Sequence, residues 1–125
     1  MTDQELSKEV LECAFKVHTA LGPGLLESAY QACLSYELVN KGFKVEAEKP
    51  LPLIYNEIKL DCGYRIDLLV DNRLILELKS VDELAPIHLA QVLTYLKLSE
   101  KRFGLLINFN VKSLKDGIKR VVNGY

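Results

Sequence analysis

The sequence lacks the features that mark membrane and secreted proteins. No apolar run approaches the length of a membrane span, and residues 1–5 have neither the basic nor the apolar region of a secretory signal. Repeats, low-complexity segments and internal linkers are also missing. We therefore expect a cytoplasmic protein that forms one domain over residues 1–125, a length sufficient for one core and too short for two.

Cysteine is scarce, which narrows the possible chemistry. The three cysteines, Cys13, Cys33 and Cys62, are odd in number, widely spaced and form no CxxC pair. This pattern argues against a disulfide framework and against a zinc site. We expect reduced and mostly buried thiols.

The chain also lacks an excess of basic residues, since its net charge is −1. Residues 1–62 carry 6 lysines against 10 acidic residues, whereas residues 63–125 carry 10 basic against 7 acidic residues. Four basic residues near the C-terminus are candidates for contacts to backbone phosphates: Lys112, Lys115, Lys119 and Arg120. A solvated surface explains them equally well, and no aromatic pattern for binding single strands stands out.

The spacing of the apolar residues changes from helical to alternating near residue 43. A capping-box pattern, Thr2-x-x-Glu5, predicts the start of the first helix, and Gly22-Pro23-Gly24 predicts its end. The predicted elements are helices over 3–20 and 25–40, a strand pair turning near 55–57, a hairpin over 64–80, a helix over 86–98, a strand over 102–109 and an edge strand over 118–122. This order indicates an α/β fold in which helices flank a mixed central sheet.

The hairpin over 64–80 is the centre of the predicted sheet. One of its faces carries an apolar row: Tyr64, Ile66, Leu68, Val70, Leu74, Leu76 and Leu78. The register that keeps this row intact pairs Leu68 with Leu76, which sets Asp67 opposite Glu77. Because two facing carboxylates repel each other, we expect a positive group between them, and Lys79 points to the same side.

Two neighbouring carboxylates form an oxygen-rich site suited to a hard cation such as Mg²⁺. A metal bound there lowers the pKa of a water molecule, and Lys79 can neutralise developing charge or hold the attacking water. The alternative is an exposed hairpin face on which Arg65 and Lys79 pair with the two acidic residues and do nothing further.

These residues resemble a known nuclease signature. Asp67 on one strand, followed by Glu77-Leu78-Lys79 on the next, is similar to the D…(D/E)xK signature of the PD-(D/E)xK nuclease superfamily. One departure is Ile66, which stands where the superfamily name has proline.

A second motif lies in the N-terminal half. The segment from Gly24 to Tyr30 resembles the motif that names the GxxExxY protein family, and residues 18–24 and 106–110 are similar to that family as well. The combined resemblance covers essentially the whole chain. It implies a restriction-endonuclease-like core, αβββαβ, with an extra N-terminal helix.

The resemblance also implies a site. Asp67 and Glu77 would bind Mg²⁺ or Mn²⁺ together with the backbone carbonyl of Leu78, and Lys79 would assist hydrolysis of a phosphodiester. Glu27, on the helix before the sheet, is the candidate that completes the metal site, although a solvated glutamate near a helix N-terminus is the alternative.

Two further residues lie on predicted helices near this site. Gln91 follows the Glu-Leu-Lys strand, on a helix that packs beside the site in the superfamily, and is expected near the lysine or a phosphate. Tyr30 shares a helix face with Glu27 and is interpreted as a packing residue with a hydrogen-bonded hydroxyl.

These interpretations predict a Mg²⁺-dependent nuclease that hydrolyses phosphodiester bonds in DNA. Because so small a domain offers little surface to hold a duplex, we expect a homodimer or a partner protein. One alternative is a non-catalytic module that keeps the fold and binds nucleic acid or protein. Another is an oligomeric structural or regulatory protein. The complete set of two acids and a lysine argues against a decayed site, whereas the near-neutral charge favours a module.

Overall fold

Three helices and seven strands make up the chain in the computed structural model, which describes residues 1–124. The helices are α1 (Asp3–Leu21), α2 (Glu27–Asn40) and α3 (Pro86–Ser99). The strands are β1 (Val45–Pro50), β2 (Leu53–Tyr55), β3 (Ile58–Leu60), β4 (Arg65–Val70), β5 (Leu74–Lys79), β6 (Phe103–Asn108) and β7 (Ile118–Val122). A short 3₁₀ helix, Leu114–Gly117, precedes β7.

Five strands form one mixed sheet in the order β1-β4-β5-β6-β7. Strands β5 and β6 are parallel, and the other neighbours are antiparallel. The predicted turn near residues 55–57 is present, but it joins β2 and β3 in a separate two-stranded sheet, while β1 pairs with β4. The predicted architecture, helices flanking a mixed sheet after an extra N-terminal helix, is confirmed.

The helices cover both faces of this sheet. Helices α1 and α2 pack on one face through a cluster that includes Leu6, Tyr30 and Leu76. Helix α3 packs on the opposite face, where Ile75 and Leu96 belong to a second cluster. Strands β5 and β6 are buried on both sides, which explains why their sequences are nearly continuous apolar runs.

Local signals fix the ends of α1. Thr2 Oγ1 accepts the Glu5 N–H and the Glu5 carboxylate accepts the Thr2 N–H, which confirms the predicted capping box. The helix ends at Leu21 because Gly22 takes a φ of 70°, a conformation that few residues other than glycine adopt. The chain then reverses direction, and α2 packs against α1, where Lys16 pairs with Glu37 and Lys41 with Glu12.

Two residues predicted for the apolar row of the hairpin lie elsewhere. Tyr64 precedes β4, is 43% exposed and contacts Tyr95 of α3. Ile66 joins the cluster on the α3 face, not the one that contains Leu68. The pairing of β1 with β4 is interrupted beside it, where Glu48 has a φ of 52°, and such irregularities redirect side chains. Regular alternation therefore begins only after Ile66.

The expectation of mostly buried thiols is wrong. Cys13 is buried, but Cys33 on α2 and Cys62 in the loop before β4 are exposed, and all three are free. Cysteine is among the residue types most often buried, but Cys33 lies outside the stripe that α2 turns to the core. Among residues 1–124, no helix is both long and apolar enough to cross a membrane.

Candidate active site

Strands β4 and β5 diverge at the two acidic residues of the hairpin. Their backbone pairing ends at Leu68 and Leu76, in the predicted register. Beyond that point, side chains replace the backbone ladder: Asp67 Oδ2 accepts the Leu78 N–H at 2.8 Å, and Glu77 Oε2 accepts the Asp67 N–H at 2.9 Å. These crossed hydrogen bonds fix the carboxylates side by side at the C-terminal end of the central strand.

Burial dominates the electrostatics of this pair. Glu77 is only 4% exposed, and Asp67 is partly buried. Removal from water, followed by the neighbouring charge of Asp67, raises the pKa of Glu77 from 4.5 to about 8. Burial also raises the pKa of Asp67, against the opposing effect of its hydrogen bond from Leu78. A cation beside them would favour the ionised form of both groups.

The remaining oxygens fit a hard cation. Each carboxylate uses one oxygen in the crossed hydrogen bonds, which leaves Asp67 Oδ1 and Glu77 Oε1 for a further ligand. Mg²⁺ commonly combines one or two carboxylates with waters and substrate phosphates. Within residues 1–124, no three histidine, cysteine or acidic side chains are grouped to hold a metal ion. The pair would therefore need water, substrate or a backbone carbonyl such as that of Leu78 to complete the coordination.

Lys79 occupies the last position of β5, on the same side of the strand as Glu77. Its charge opposes the rise in the pKa of both carboxylates that burial causes. Among the described residues it makes no direct ion pair with either, and Arg65 pairs with Asp61 at 3.9 Å instead. The geometry thus differs from an exposed, salt-bridged face, since Glu77 is buried and neither basic residue pairs with it directly.

Helix α2 brings Glu27 to the end of β5. Glu27 is the first residue of the helix, and its Oε2 accepts the Ser80 N–H at 3.4 Å. Ser80 Oγ donates to the Leu25 carbonyl at 2.6 Å, which ties the loop before α2 to the residue after Lys79. Burial is the main cause of the raised pKa of Asp67, and the charge of Glu27 makes a smaller contribution in the same direction. The exposed Glu27 side chain therefore lies close to the carboxylate pair.

Tyr30 holds the loop that positions Glu27. Its side chain is fully buried, and its ring stacks on Phe109 with 4.5 Å between centroids. The hydroxyl donates to the Gly22 carbonyl at 2.6 Å and accepts the Leu25 N–H at 3.2 Å. The tyrosine of the GxxExxY motif is thus a packing residue with a hydrogen-bonded hydroxyl that fixes the start of α2.

Replacing Tyr30 by phenylalanine removes both of these hydrogen bonds and keeps the stacked ring. We expect Tyr30→Phe to lower the free energy of unfolding by about 1–2 kcal/mol, measured by chemical denaturation, since two backbone groups of the loop lose their partner. Tyr36→Phe is the matched control, because Tyr36 lies on the same helix and is 64% exposed. Equal stability of the two variants would contradict a positioning role for the Tyr30 hydroxyl.

Glu48 is an acidic residue near the site that sequence reasoning missed. It lies opposite Asp67 on β1, between the Ala47 and Lys49 pairs of the ladder. Gln31 of α2 donates to its Oε2 at 3.2 Å. Burial is the largest cause of the raised pKa of Asp67, and the charge of Glu48 raises it further. Only the register of β1 on β4 reveals this residue, and the periodicity of a sequence does not predict which strands pair.

Asn108 is a second residue that sequence reasoning did not assign. It is 2% exposed and is the ladder partner of Lys79 on β6. Its Oδ1 accepts the Val81 N–H at 3.1 Å, and its Nδ2 donates to the Val81 carbonyl at 2.9 Å. The chain that leaves β5 is thereby clamped to β6, which fixes the backbone at Lys79. The resemblance over residues 106–110 was the available signal.

Gln91 lies on α3, one turn before Tyr95, on the side of the sheet that carries Asp67 and Glu77. It is partly exposed, and no hydrogen bond from its amide is observed within residues 1–124. Tyr95 is 6% exposed, and burial followed by the charge of Glu77 raises the pKa of its phenol. The charges of the carboxylates therefore affect Tyr95, whereas contact between them and Gln91 stays a prediction.

The four basic residues near the C-terminus do not share one surface. Arg120 faces α1, where its Nη2 donates to Ser7 Oγ at 3.0 Å. Lys119 points to the opposite face of β7, because its neighbour Val121 packs in the α3 cluster. The remaining two, Lys112 and Lys115, are exposed before and within the 3₁₀ helix. Any phosphate contacts would therefore come from separate sides of β7.

These features define an α/β protein with a carboxylate pair and a lysine at the end of its central strand. The chain belongs to the PD-(D/E)XK nuclease superfamily, since the model of that family matches residues 4–121. The predicted superfamily and its restriction-endonuclease-like fold are thereby confirmed. Membership of the GxxExxY family stays a prediction. Searches of curated proteins and of solved structures found no match to this chain.

Proposed function

We propose that this superfamily member is a Mg²⁺- or Mn²⁺-dependent nuclease that hydrolyses phosphodiester bonds in DNA. The observation that supports this most is the pair of crossed hydrogen bonds, which hold Asp67 and Glu77 side by side with Lys79 on the same side of β5. Members of this superfamily typically use divalent metal ions. A bound divalent ion would supply an activated water and charge stabilisation at the phosphoryl group.

The residues of the chain have separate roles in this proposal. Asp67 and Glu77 hold the ion through the oxygens that the crossed hydrogen bonds leave free. Lys79 binds a phosphate oxygen and stabilises the charge that develops there. Glu27 lies beside Ser80 at the edge of the site and is suited to orient a water molecule. Gln91 is proposed to contact the phosphate or the lysine from α3.

The chain is further proposed to act as one cytoplasmic domain over residues 1–125. Two apolar clusters on opposite faces of one shared sheet support a single folding unit, and three free cysteines suit a reducing compartment. A homodimer or a partner protein is proposed to enlarge the surface that holds DNA, because residues 1–124 present no continuous basic surface at the four predicted phosphate-binding residues.

The test is a cleavage assay with single-stranded, duplex and branched DNA and with RNA, each in Mg²⁺, Mn²⁺ or EDTA. We expect metal-dependent cleavage of DNA, reduced about 100-fold in Lys79→Ala, because that substitution removes a charge from the developing transition state. Lys16→Ala is the control, since Lys16 is an exposed lysine on α1 that pairs with Glu37.

Two results would contradict the proposal. Cleavage at the wild-type rate in Lys79→Ala would remove this lysine from the site. Tight nucleic-acid binding without cleavage of any substrate would favour the non-catalytic module instead.

A further inference from the structure

An exposed aromatic ring lies just before the strand that carries Asp67. Tyr64 directly precedes β4 and is 43% exposed. Its ring meets that of Tyr95 edge-on, with 6.1 Å between centroids and 65° between planes. Tyr95 is buried, so one aromatic ring supports the other from the core side.

The backbone of Tyr64 is fixed. Its carbonyl accepts the N–H of the buried Leu51 at 2.9 Å and a second hydrogen bond from Arg65 Nη1 at 2.9 Å. Leu51 in turn packs in the α3 cluster. A ring on such a backbone loses little conformational entropy when a ligand stacks on it.

The position of Tyr64 relates it to the carboxylate pair. It lies three residues before Asp67, which corresponds to at most about 10 Å along a strand. Tyr95, its aromatic neighbour, packs in the α3 cluster, and the charges of Glu77 and Asp67 contribute to the raised pKa of its phenol. A nucleotide whose phosphate lies at the carboxylates can therefore place an adjacent base on the exposed Tyr64 ring.

The charge around the site limits how a nucleic acid can be held there. Duplex binding proteins derive most of their affinity from many lysine and arginine contacts to phosphates. Here the net charge is −1, and the acidic residues Glu27 and Glu48 lie near the two carboxylates. Stacking on an aromatic ring does not require positive charge, but the base must be unpaired and not stacked on adjacent bases.

We infer that Tyr64, supported by Tyr95, is a stacking platform for an unpaired base next to the scissile phosphate. The substrate class is therefore single-stranded nucleic acid, or an unpaired end or flap of a duplex. This inference rests on the proposed function for one part, the cleavage of the neighbouring phosphate. The stacking of the base can be measured without cleavage.

Tryptophan fluorescence can report the stacking directly, because the chain contains no tryptophan. In Tyr64→Trp, studied in EDTA, oligothymidylate and oligouridylate are expected to quench the emission, and a blunt duplex is expected to leave it unchanged. A preference between oligodeoxyuridylate and oligouridylate, which differ only in the 2′-hydroxyl, would distinguish a DNA from an RNA substrate. Tyr36→Trp is the matched control, since Tyr36 is at least as exposed as Tyr64 and lies on α2.

Affinity gives the second measurement. Tyr64→Ala is expected to weaken binding of oligothymidylate in EDTA by about 5- to 150-fold, which corresponds to the loss of one stacked base. Tyr64→Phe is expected to bind like the wild type, because it keeps the ring, and Tyr36→Ala is expected to have no effect. Thermal melting of each variant shows that a loss of binding is not a loss of fold.

The inference is overturned by unchanged emission of Tyr64→Trp, or by wild-type affinity in folded Tyr64→Ala. It is also overturned if the blunt duplex binds as tightly as the single strand. Self-association that is lost in Tyr64→Ala, without binding of nucleic acid, would instead identify this surface as a protein contact. Stacking without cleavage would contradict the proposed hydrolysis and support the stacking platform. Cleavage that is unaffected by Tyr64→Ala would support the hydrolysis and contradict the platform.

Discussion

At saturating Mg²⁺, the Asp67→Asn protein is expected to cleave DNA about 1000-fold more slowly than the wild type. The substitution removes one negative charge from the proposed metal site while it keeps the size of the side chain. Stabilisation of a phosphoryl group by a metal contributes several kcal/mol, and each 1.36 kcal/mol corresponds to a tenfold change in rate. A single-turnover assay at fixed pH measures the effect.

The fold of this variant should persist, which makes the assay interpretable. The asparagine Oδ1 can still accept the Leu78 N–H that Asp67 accepts at 2.8 Å, and a partly buried charge disappears. Asp71→Asn is the control, because Asp71 Oδ1 accepts the Lys44 N–H at 2.9 Å at the other end of the same strand. Equal loss of cleavage in both variants, or none in Asp67→Asn, would contradict the assignment.

Those parts of the fold that depend on local sequence were predictable. The Leu68–Leu76 register follows from period-two alternation, because a slip by one residue would expose the apolar row. The break after α1 follows from Gly22, whose positive φ few other residues tolerate. The acidic pair follows from the same register, so its position required no tertiary information beyond one hairpin.

The residues that were missed depend on contacts between distant segments. Glu48 enters the site through the pairing of β1 with β4, and Gln31 binds it from a helix 17 residues away in sequence. Asn108 reaches Val81 across 27 residues. Alternation continued back from Leu68 predicts a core position for Tyr64. The irregularity at Glu48 ends that alternation at Ile66, so the prediction fails for Tyr64. Periodicity cannot predict such contacts, since it describes one element at a time.

The proposed metal site and the crossed hydrogen bonds have one cause. Two strands that diverge leave backbone N–H groups without ladder partners, and the cost of burying such groups unpaired is high. In this hairpin, the carboxylates of Asp67 and Glu77 take those hydrogen bonds. The geometry that satisfies the backbone therefore also holds the two acids together, and their mutual repulsion is the cost of that arrangement.

This cost makes the metal-free protein less stable as the pH rises. The pKa of Glu77 is raised from 4.5 to about 8, so the folded state binds this proton more tightly than the unfolded state. Its stabilising contribution is therefore fully present below about pH 4.5 and is lost as the pH rises through about 8. Asp67, whose pKa is also raised by burial, acts in the same direction.

In EDTA, Glu77→Gln is expected to be more stable than the wild type at pH 8.5 and to show a weaker pH dependence. The difference is on the order of 5 kcal/mol, since each pKa unit between 4.5 and about 8 corresponds to about 1.4 kcal/mol. The glutamine Oε1 can keep the hydrogen bond from the Asp67 N–H, so the substitution removes mainly the charge. Thermal and chemical denaturation between pH 5 and pH 9 measure the effect.

Mg²⁺ supplies the complementary test, because it requires the ionised carboxylates and competes with the proton. Added Mg²⁺ should raise the melting temperature of the wild type more at pH 8 than at pH 6, and should raise that of Glu77→Gln much less at either pH. Glu83→Gln is the control, since Glu83 is exposed in the loop before α3. If Glu77→Gln and the wild type lost stability in parallel as the pH rose, the buried glutamate would not be the group that titrates. The proposed coupling between fold stability and metal binding at this hairpin would then be contradicted.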